Sequence, residues 1–498
     1  MNVAGLVREA AGRAPDKAAF VTPGSGPGED ATLTYAALDA EVDRIAAGLQ
    51  AAGIRRGDRV ALGMHNVPQF PMAYFGILRA GGVVVPLNSM LTPAETARVL
   101  TDSGAAVAVT WGGFAESVRA AASEVPGVSV VAEDEWAGVA PEGATPTPVE
   151  VTGDDLAVLA YTSGTTGEPK GAMLTHGNLQ ANLRQQMSIP DARVTDEDVI
   201  FLALPLFHIF GLNVSLGLLV MNAATGLLVE RFEPIAALQQ IQDHGVTVLL
   251  GAPTMYVAWA NTPGADQYDL SKVRLAISGA APLSAETLAS FYELFRVQVY
   301  EGYGLTETAP TLTSNRMGGT PRPGSIGLPL PEVELRLVDE DGNDVELGDP
   351  GEIVVRGPNV FKGYWNRPEE TERAFRDGWF RTGDVAVRDE EGYLYIVDRK
   401  RDLIIVSGFN VFPSEVENAL VQDPDVREAA VVGEPHPYTG EAVKAFVVLE
   451  EGAQTTEREL LAELHTRLAR FKCPHSIEIV DTLPHLLTGK VLRRALRT

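Results

Sequence analysis

The segment Tyr161-Thr-Ser-Gly-Thr-Thr-Gly-Glu-Pro-Lys-Gly171 is the part of this chain best equipped for chemistry. Its glycines relax the backbone and expose amide N–H groups, its hydroxyls add donors, and Lys170 adds a positive charge. Together these groups suit phosphate oxygens. A Walker A loop would set Gly-Lys-Ser/Thr at the start of a helix, and this spacing does not, so a P-loop kinase or ATPase is disfavoured. A Gly/Ser/Thr cluster by itself is more often a solvated loop than a ligand site. Five further strings bear on the choice: Pro205-Leu-Phe-His-Ile-Phe-Gly211, Ser278-Gly-Ala-Ala-Pro-Leu283, Tyr300-Glu-Gly-Tyr-Gly-Leu-Thr-Glu307, Trp379-Phe-Arg-Thr-Gly-Asp384 and Leu487-Thr-Gly-Lys490. Other catalytic classes lack their parts, since the chain has no Gly-x-Ser-x-Gly elbow, no His-Glu-x-x-His pair and no CxxC.

In content and order these strings resemble the adenylate-forming superfamily, which includes acyl-CoA synthetases, luciferases and nonribosomal peptide adenylation domains. The resemblance covers nearly the whole chain. It implies that Thr162, Ser163, Gly164, Thr165, Thr166, Gly167 and Lys170 hold the ATP phosphates. Gly279, Ala280 and Ala281 would form the adenine-binding strand end, with Glu301, Gly302 and Tyr303 facing them. Tyr303 would stack on the base, Thr306 would meet the α-phosphate, and Glu307 with Thr162 would hold Mg2+. An aromatic face suits a base, and a carboxylate is a hard ligand for a cation that bridges phosphates. Asp384 would accept from the ribose hydroxyls, with Arg399 in support. Lys490 would enter the site only when a C-terminal domain rotates for adenylation, and there offset the charge that develops as pyrophosphate leaves. After rotation, Ser407, Gly408 and Phe409 would line a tunnel for coenzyme A.

The implied activity is an ATP-dependent carboxylate-CoA ligase. A carboxylate is a poor electrophile, whereas an acyl-AMP expels AMP readily when a thiolate attacks, so one hard step becomes two. The resemblance makes His208 a gate or polar neighbour of the substrate carboxylate. Phe207, Leu212, Gly251, Ala252, Ser278 and Gly302, small or apolar, would wall an acyl site. Malonate-activating relatives carry a basic residue on the helix after the adenine motif, and residues 284–292 contain none. Amino-acid-activating relatives place an aspartate near residues 207–211, where no acid occurs. A medium- or long-chain fatty acid is therefore expected, ahead of an aryl acid or malonate. An acyl-AMP ligase that loads a carrier protein and a non-catalytic, membrane-associated adenylate binder are the alternatives. Three departures from the family pattern stand out: Leu487 where Asn is usual, Ala280 where some members carry Gly or Ser, and Arg401 at the expected hinge pivot where Asp or Lys is usual.

These residues need a scaffold, and 498 residues with 45% hydrophobic content exceed what one core supports. From residue 59 onward, short apolar runs alternate with helical patterns: a run at 59–63, a helix at 69–79, a run at 83–87, and a helix from Pro93 with Thr92 as N-cap and Glu95 as capping-box acid. Apolar runs return at 247–250 and 273–277, and residues 332–355 read as strands broken by Glu340-Asp341-Gly342. Residues 201–229 lack Asp, Glu, Lys and Arg, but Pro205, Gly211 and Gly217 interrupt them, so a buried helix and then a strand at 226–229 are expected instead of a membrane span. The expected fold is α/β: a large N-terminal domain at 1–398 of doubly wound α/β subdomains plus a β-rich subdomain, a hinge at 399–402, and a small mobile α+β domain at 403–498.

With 40 Lys plus Arg against 66 Asp plus Glu, the net charge of -26 argues against a nucleic-acid partner. The single cysteine, Cys473, fits a reducing compartment. Arg8, Glu9 and Arg13 interrupt what an export signal would need, so a cytoplasmic enzyme is expected, with peripheral membrane contact and a homodimer both open. Its partners would be a small carboxylic acid, ATP and coenzyme A.

Overall fold

The computed structural model describes residues 2–496 except 25–28, 137, 163–168, 190–192, 400–401, 407–408, 437–439 and 486–490. It divides into two compact units. Unit 1 comprises Met1–Glu334 and Arg356–Phe380, and unit 2 comprises Leu335–Val355 and Arg381–Thr498.

Unit 1 is built on two sheets. In the larger, the strands Ala18–Thr22, Thr225–Leu228, Val199–Leu202, Val248–Gly251, Leu275–Ser278 and Val299–Gly304 run parallel in that spatial order. Short antiparallel strands close both edges. Val248, Leu249, Leu250 and Ala276 are almost wholly buried, as expected for parallel strands covered on both faces. On one side Tyr256, Trp259, Phe291 and Phe201 form a continuous aromatic layer, with Tyr256 and Phe291 at 5.1 Å and Phe201 and Trp259 at 6.2 Å between ring centroids. The second sheet orders Ser129–Val131, Val107–Thr110, Arg59–Gly63, Val83–Pro86, Leu156–Thr162 and Lys170–Thr175, the last pair antiparallel.

The elements expected between residues 59 and 103 are present: strand Arg59–Gly63, helix Gln69–Arg79, strand Val83–Pro86 and helix Pro93–Ser103. Thr92 and Glu95 form the capping box. Residues 201–229 depart from the expected helix. The strand Val199–Leu202 takes up the first of them, a π-helical stretch spans Phe210–Gly217, a short helix spans Leu218–Asn222, and a strand begins at Thr225. The physical reason lies at Gly211, where a Cβ would sit 2.4 Å from the Pro205 carbonyl oxygen, so the chain folds back on itself. Among the described residues no helix is long and apolar enough to cross a membrane.

Unit 2 contains a long antiparallel pair, Val426–His436 with Gly440–Leu449, extended by Ile404–Val406 and by Ser476–Ile479. Helices Pro413–Leu420 and Glu457–Arg467 supply Val416, Leu420, Leu460 and Leu464 to its core. The first of these helices opens with Pro413 at its first turn, without a side-chain cap.

His176, at the start of helix His176–Met187, is almost fully buried, and its Nδ1 accepts the Val3 N–H at 3.1 Å. Burial disfavours the charged ring and lowers its pKa from 6.5 to about 4. Between those values the unfolded chain binds a proton that the folded chain refuses. The stabilisation is therefore complete above 6.5 and is lost as pH falls toward 4. From pH 7 to pH 5 the loss is about 2 kcal/mol. His176→Asn keeps an acceptor for Val3 but cannot titrate, so its thermal midpoint should fall less over that interval than the wild-type midpoint; parallel slopes would refute this.

Candidate active site

The sequence-predicted residues of unit 1 gather at the C-terminal ends of adjacent parallel strands. Ser278 to Ala281 follow the strand Leu275–Ser278, Glu301 to Thr306 end or follow Val299–Gly304, Gly251 and Ala252 end or follow Val248–Gly251, and His208 follows Val199–Leu202. After Val199–Leu202 the next strand in sequence lies on one side of it and the one after that on the other. Open α/β sheets bind ligands outside such strand ends, at the point where the order reverses.

The adenine-motif loop is tightly constrained. A Cβ on Gly279 would lie 3.1 Å from the Phe210 ring, and Ala280 has φ +77°, a left-handed conformation that strains any residue but glycine. Glu301 Oε1 accepts the Leu283 N–H at 3.1 Å. Its carboxyl is thus spent in part on holding the loop, and burial pushes its pKa up to about 7. Gly302 and Tyr303 pair with Ser314 and Thr313, which leaves Tyr303 half-buried. Ser278 is buried, and its Oγ has no hydrogen-bond partner among the described residues. Leu212 and Ala252 are buried too, Phe207 is half-buried, and the Tyr256 ring lies 2.9 Å from where a Gly251 Cβ would be. His208 is half-buried, its Nδ1 faces the Phe210 N–H at 3.4 Å, and desolvation lowers its pKa, which favours the neutral ring.

The strands Leu156–Thr162 and Lys170–Thr175 form a hairpin in which Thr162 pairs with Lys170, so both sit at the mouth of the loop. Residues 163–167 of that loop lie outside the described residues. Glu307 is buried in the single turn Thr306–Thr308, and its Oε1 accepts the Tyr364 hydroxyl at 2.8 Å. Lys170 Nζ stands 5.5 Å from the centre of the same Tyr364 ring. Burial first, and then the Glu307 charge, raise the Tyr364 pKa above the ordinary phenol value, so the hydroxyl is a donor. Glu307, Lys170 and Thr162 thus belong to one neighbourhood, and Tyr364, which the motifs did not single out, joins two of them. A buried carboxylate whose neighbourhood holds a lysine suits a hard cation whose remaining ligands are phosphate oxygens and water.

A group of buried amides, also missed in the sequence, frames the Glu307 turn. Asn359 Nδ2 donates to the carbonyls of Thr308 (2.8 Å) and Thr311 (3.2 Å), Asn213 Nδ2 to Ala309 (2.7 Å), and Asn182 Nδ2 to Thr311 (2.8 Å). Gln185 Nε2 donates to Asn359 Oδ1 at 3.1 Å, and Asn178 Nδ2 donates to the carbonyls of Pro358 and Val360, both at 2.8 Å. Asn178, Asn182 and Gln185 are spaced four and three apart on one helix, and so share a face. That spacing of polar residues was the available signal. Asn359→Leu removes two donors and one acceptor from buried groups, so unfolding stability should fall by about 2–4 kcal/mol, the scale of stranding buried polar atoms. Chemical denaturation of the variant measures it, and a loss below about 1 kcal/mol would show the frame to be dispensable.

In unit 2, Asp384 is buried, its N–H donates to Thr382 Oγ1 at 3.1 Å, and its backbone pairs with that of Arg399. The backbone of Phe409 pairs with Val406. The side chains of Arg399 and Phe409, together with Ser407, Gly408 and Lys490, lie outside the described residues.

The family model described as AMP-binding enzyme matches residues 7–365, and the one described as AMP-binding enzyme C-terminal domain matches residues 415–490. A long-chain-fatty-acid–CoA ligase of Yersinia pestis is 38% identical over 99% of this chain and 93% of its own length. A feruloyl-CoA synthase of an Amycolatopsis species is 42% identical, with 93% of each chain covered. Among solved structures, ATP-bound MatB from Rhodopseudomonas palustris is 37% identical with a TM-score of 0.90, covering 100% of this chain and 98% of that one. A Mycobacterium tuberculosis fatty acyl CoA synthetase is 31% identical with a TM-score of 0.81, covering 100% and 97%. With both family models matched in order and the strand ends carrying the expected motifs, the chain belongs to the AMP-binding enzymes, the adenylate-forming superfamily that includes the acyl-CoA synthetases.

Proposed function

We propose that this protein converts a carboxylic acid and ATP into an acyl-adenylate and pyrophosphate, and then transfers the acyl group to coenzyme A with release of AMP. The observation that carries the reading is the meeting of Lys170 and Glu307 on Tyr364 at the mouth of the Thr162–Lys170 hairpin. It puts a phosphate-binding cation and a metal-binding carboxylate side by side. When bound, Mg2+ would be held by Glu307 with Thr162 and would neutralise phosphate charge. Tyr303 stacks on the adenine beside Gly279, Ala280, Ala281, Glu301 and Gly302, Thr306 meets the α-phosphate, and Asp384, supported by Arg399, holds the ribose. One substrate carboxylate oxygen attacks the α-phosphorus and the bond to pyrophosphate breaks. Lys490 offsets the charge that develops, and a neutral His208 stands beside the substrate carboxylate.

Residues 399–402 act as the hinge between 1–398 and 403–498, and the second step brings Ser407, Gly408 and Phe409 to the thiol path. For the acid, a medium- or long-chain fatty acid is the first reading, supported by the long-chain ligase relatives and by the absence of Lys or Arg from helix Ala285–Phe295, where a second carboxylate would need a partner. An aryl acid is the second reading, supported by the feruloyl-CoA synthase at 42% identity. The acidic balance and single cysteine support a cytoplasmic setting.

Pyrophosphate release with ATP and Mg2+ across acetate, malonate, octanoate, palmitate and ferulate, each with and without coenzyme A, tests the reading. Release driven by octanoate or palmitate, with coenzyme A raising turnover and forming a thioester, is the expected result. Release that ignores coenzyme A would point to a carrier-protein acceptor, and no release with any acid would overturn the proposal. Lys490→Ala should lose adenylation by about a hundredfold or more, the scale of removing one preorganised stabiliser, while thioester formation from supplied acyl-AMP suffers far less. Equal damage to both steps, measured by single-turnover assays, would remove Lys490 from its role.

A further inference from the structure

Tyr364 is held by more contacts than a residue filling space requires. Gly363 has φ +124°, and a Cβ there would lie 2.4 Å from the Thr371 side chain, so only glycine lets the backbone approach. Thr371 Oγ1 in turn accepts the Tyr364 N–H at 2.9 Å. On both sides of Tyr364 the chain pairs with the strand that carries Lys170: Met173 N–H donates to the Gly363 carbonyl at 3.0 Å and Trp365 N–H to the Gly171 carbonyl at 2.8 Å. Trp365 Nε1 donates to the Asp102 carbonyl at 3.1 Å, and Tyr161, next to Thr162 in the same hairpin, donates its hydroxyl to Asp102 Oδ2 at 2.6 Å. The ring between these anchors has little freedom to turn.

Two groups of opposite charge meet this ring in different ways. The Lys170 ammonium lies against the π system, which attracts cations, and the Glu307 carboxylate accepts a hydrogen bond from the hydroxyl at the ring's edge. An ammonium and a carboxylate that meet the same ring are drawn toward each other, and a direct pair would occupy both when nucleotide arrived. A rigid phenol engages both weakly enough to release and firmly enough to orient.

We propose that Tyr364 is a positioning residue that holds Lys170 and Glu307 in separate, pre-set orientations for the phosphates and the cation of ATP. The proposal rests on the adenylation reading for the identity of that ligand, and it assigns different tasks to the two parts of the side chain. The hydroxyl sets the cation-binding carboxylate, and the ring sets the phosphate-binding ammonium.

Two variants of the full chain separate those tasks. Tyr364→Phe keeps the ring and removes the hydroxyl. Its affinity for ATP in EDTA, measured by isothermal titration calorimetry, should stay within about twofold of wild type. The Mg2+ concentration that half-saturates the gain in ATP affinity should rise by about tenfold, the scale of one hydrogen bond to a charged group. Tyr364→Leu removes the ring as well, and should weaken ATP binding in EDTA by about fivefold or more, the scale of a partly exposed cation–π contact with the lysine freed to pair. Acid-dependent ATP–pyrophosphate exchange should follow the same split, with the Mg2+ midpoint shifted in Tyr364→Phe. A merely structural tyrosine would lower the thermal midpoint of both variants without separating the EDTA and Mg2+ arms. The proposal is overturned if Tyr364→Phe keeps the wild-type Mg2+ midpoint, or if both variants lose ATP affinity equally in EDTA. Wild-type protein that binds ATP but exchanges no pyrophosphate with any acid would sink the adenylation reading alone, because the binding arms would still judge Tyr364.

Discussion

Glu307 is a carboxylate withdrawn from water, and much of unit 1 is arranged so that it can be. A buried charge is tolerated only where hydrogen bonds replace its hydration. The Tyr364 hydroxyl supplies one, and the Glu307 carbonyl accepts the Phe361 N–H at 2.8 Å, so the segment around residue 360 holds both ends of the residue. The turn that carries Glu307 leaves the carbonyls of Thr308, Ala309 and Thr311 facing protein, and each is taken by a side-chain amide. Those amides need a helix that turns a polar face inward. This is why Asn178, Asn182 and Gln185 sit where an amphipathic helix would ordinarily put leucines. The acid at the centre therefore dictates side chains two and three layers away.

The larger sheet is treated differently at its two ends. Where its strands begin, Asp198 is buried and collects Arg274 Nε at 2.9 Å, the Thr247 hydroxyl at 2.7 Å and the Thr195 N–H at 2.7 Å, so it knits three neighbouring strands together. Where the strands finish, the residues are small and the backbone is strained, as at Gly279 with Phe210 pressed against it and at Ala280 with its positive φ. Locking one end fixes the spacing of the strands, and that spacing carries through to the other end, where small residues let the backbone segments approach closely. Strain at Ala280 is tolerable because the Glu301 carboxylate ties the loop's far side at Leu283.

Much of this was legible in the sequence, and the limits have physical causes. The alternation from residue 59, the capping box at Thr92 and Glu95, and the motif strings rest on local chemistry, and local chemistry is what a sequence displays. The π-helical stretch Phe210–Gly217 was read as ordinary helix because its hydrogen-bond pattern follows from a fold-back at Pro205 and Gly211, a contact between residues that no periodicity reveals. Tyr364 was missed because its importance depends on pairing with a strand almost two hundred positions earlier, and an isolated Gly-Tyr-Trp reads as core. The carboxamide face was visible as a spacing, but polar residues on a helix are by default solvent-facing. Only the carbonyls they satisfy reverse that default.

Unit 2 applies the same logic to the segment that ends in Lys490. Residues 484–485 and 491–492 close on each other, with His485 bridged to Val491 and the Leu492 N–H donating to the Pro484 carbonyl at 2.7 Å. His485 pairs with Glu428 at 2.5 Å, and Arg493 pairs with Glu417 at 2.6 Å and with Asp402 at 3.4 Å. Glu417 also accepts the Val431 N–H at 2.8 Å, so the arginine is tied through it to the sheet. Asp402 stands directly after residues 400–401, and Arg493 stands three residues after Lys490. The two Arg493 ion pairs are shielded from solvent, with side chains of Arg493 and Asp402 only 19% and 11% exposed, so salt screens them little. Asp402, at the start of the small sheet, and Arg493, near the end of the chain, are therefore parts of one cluster that ties the last described turn to the core of unit 2.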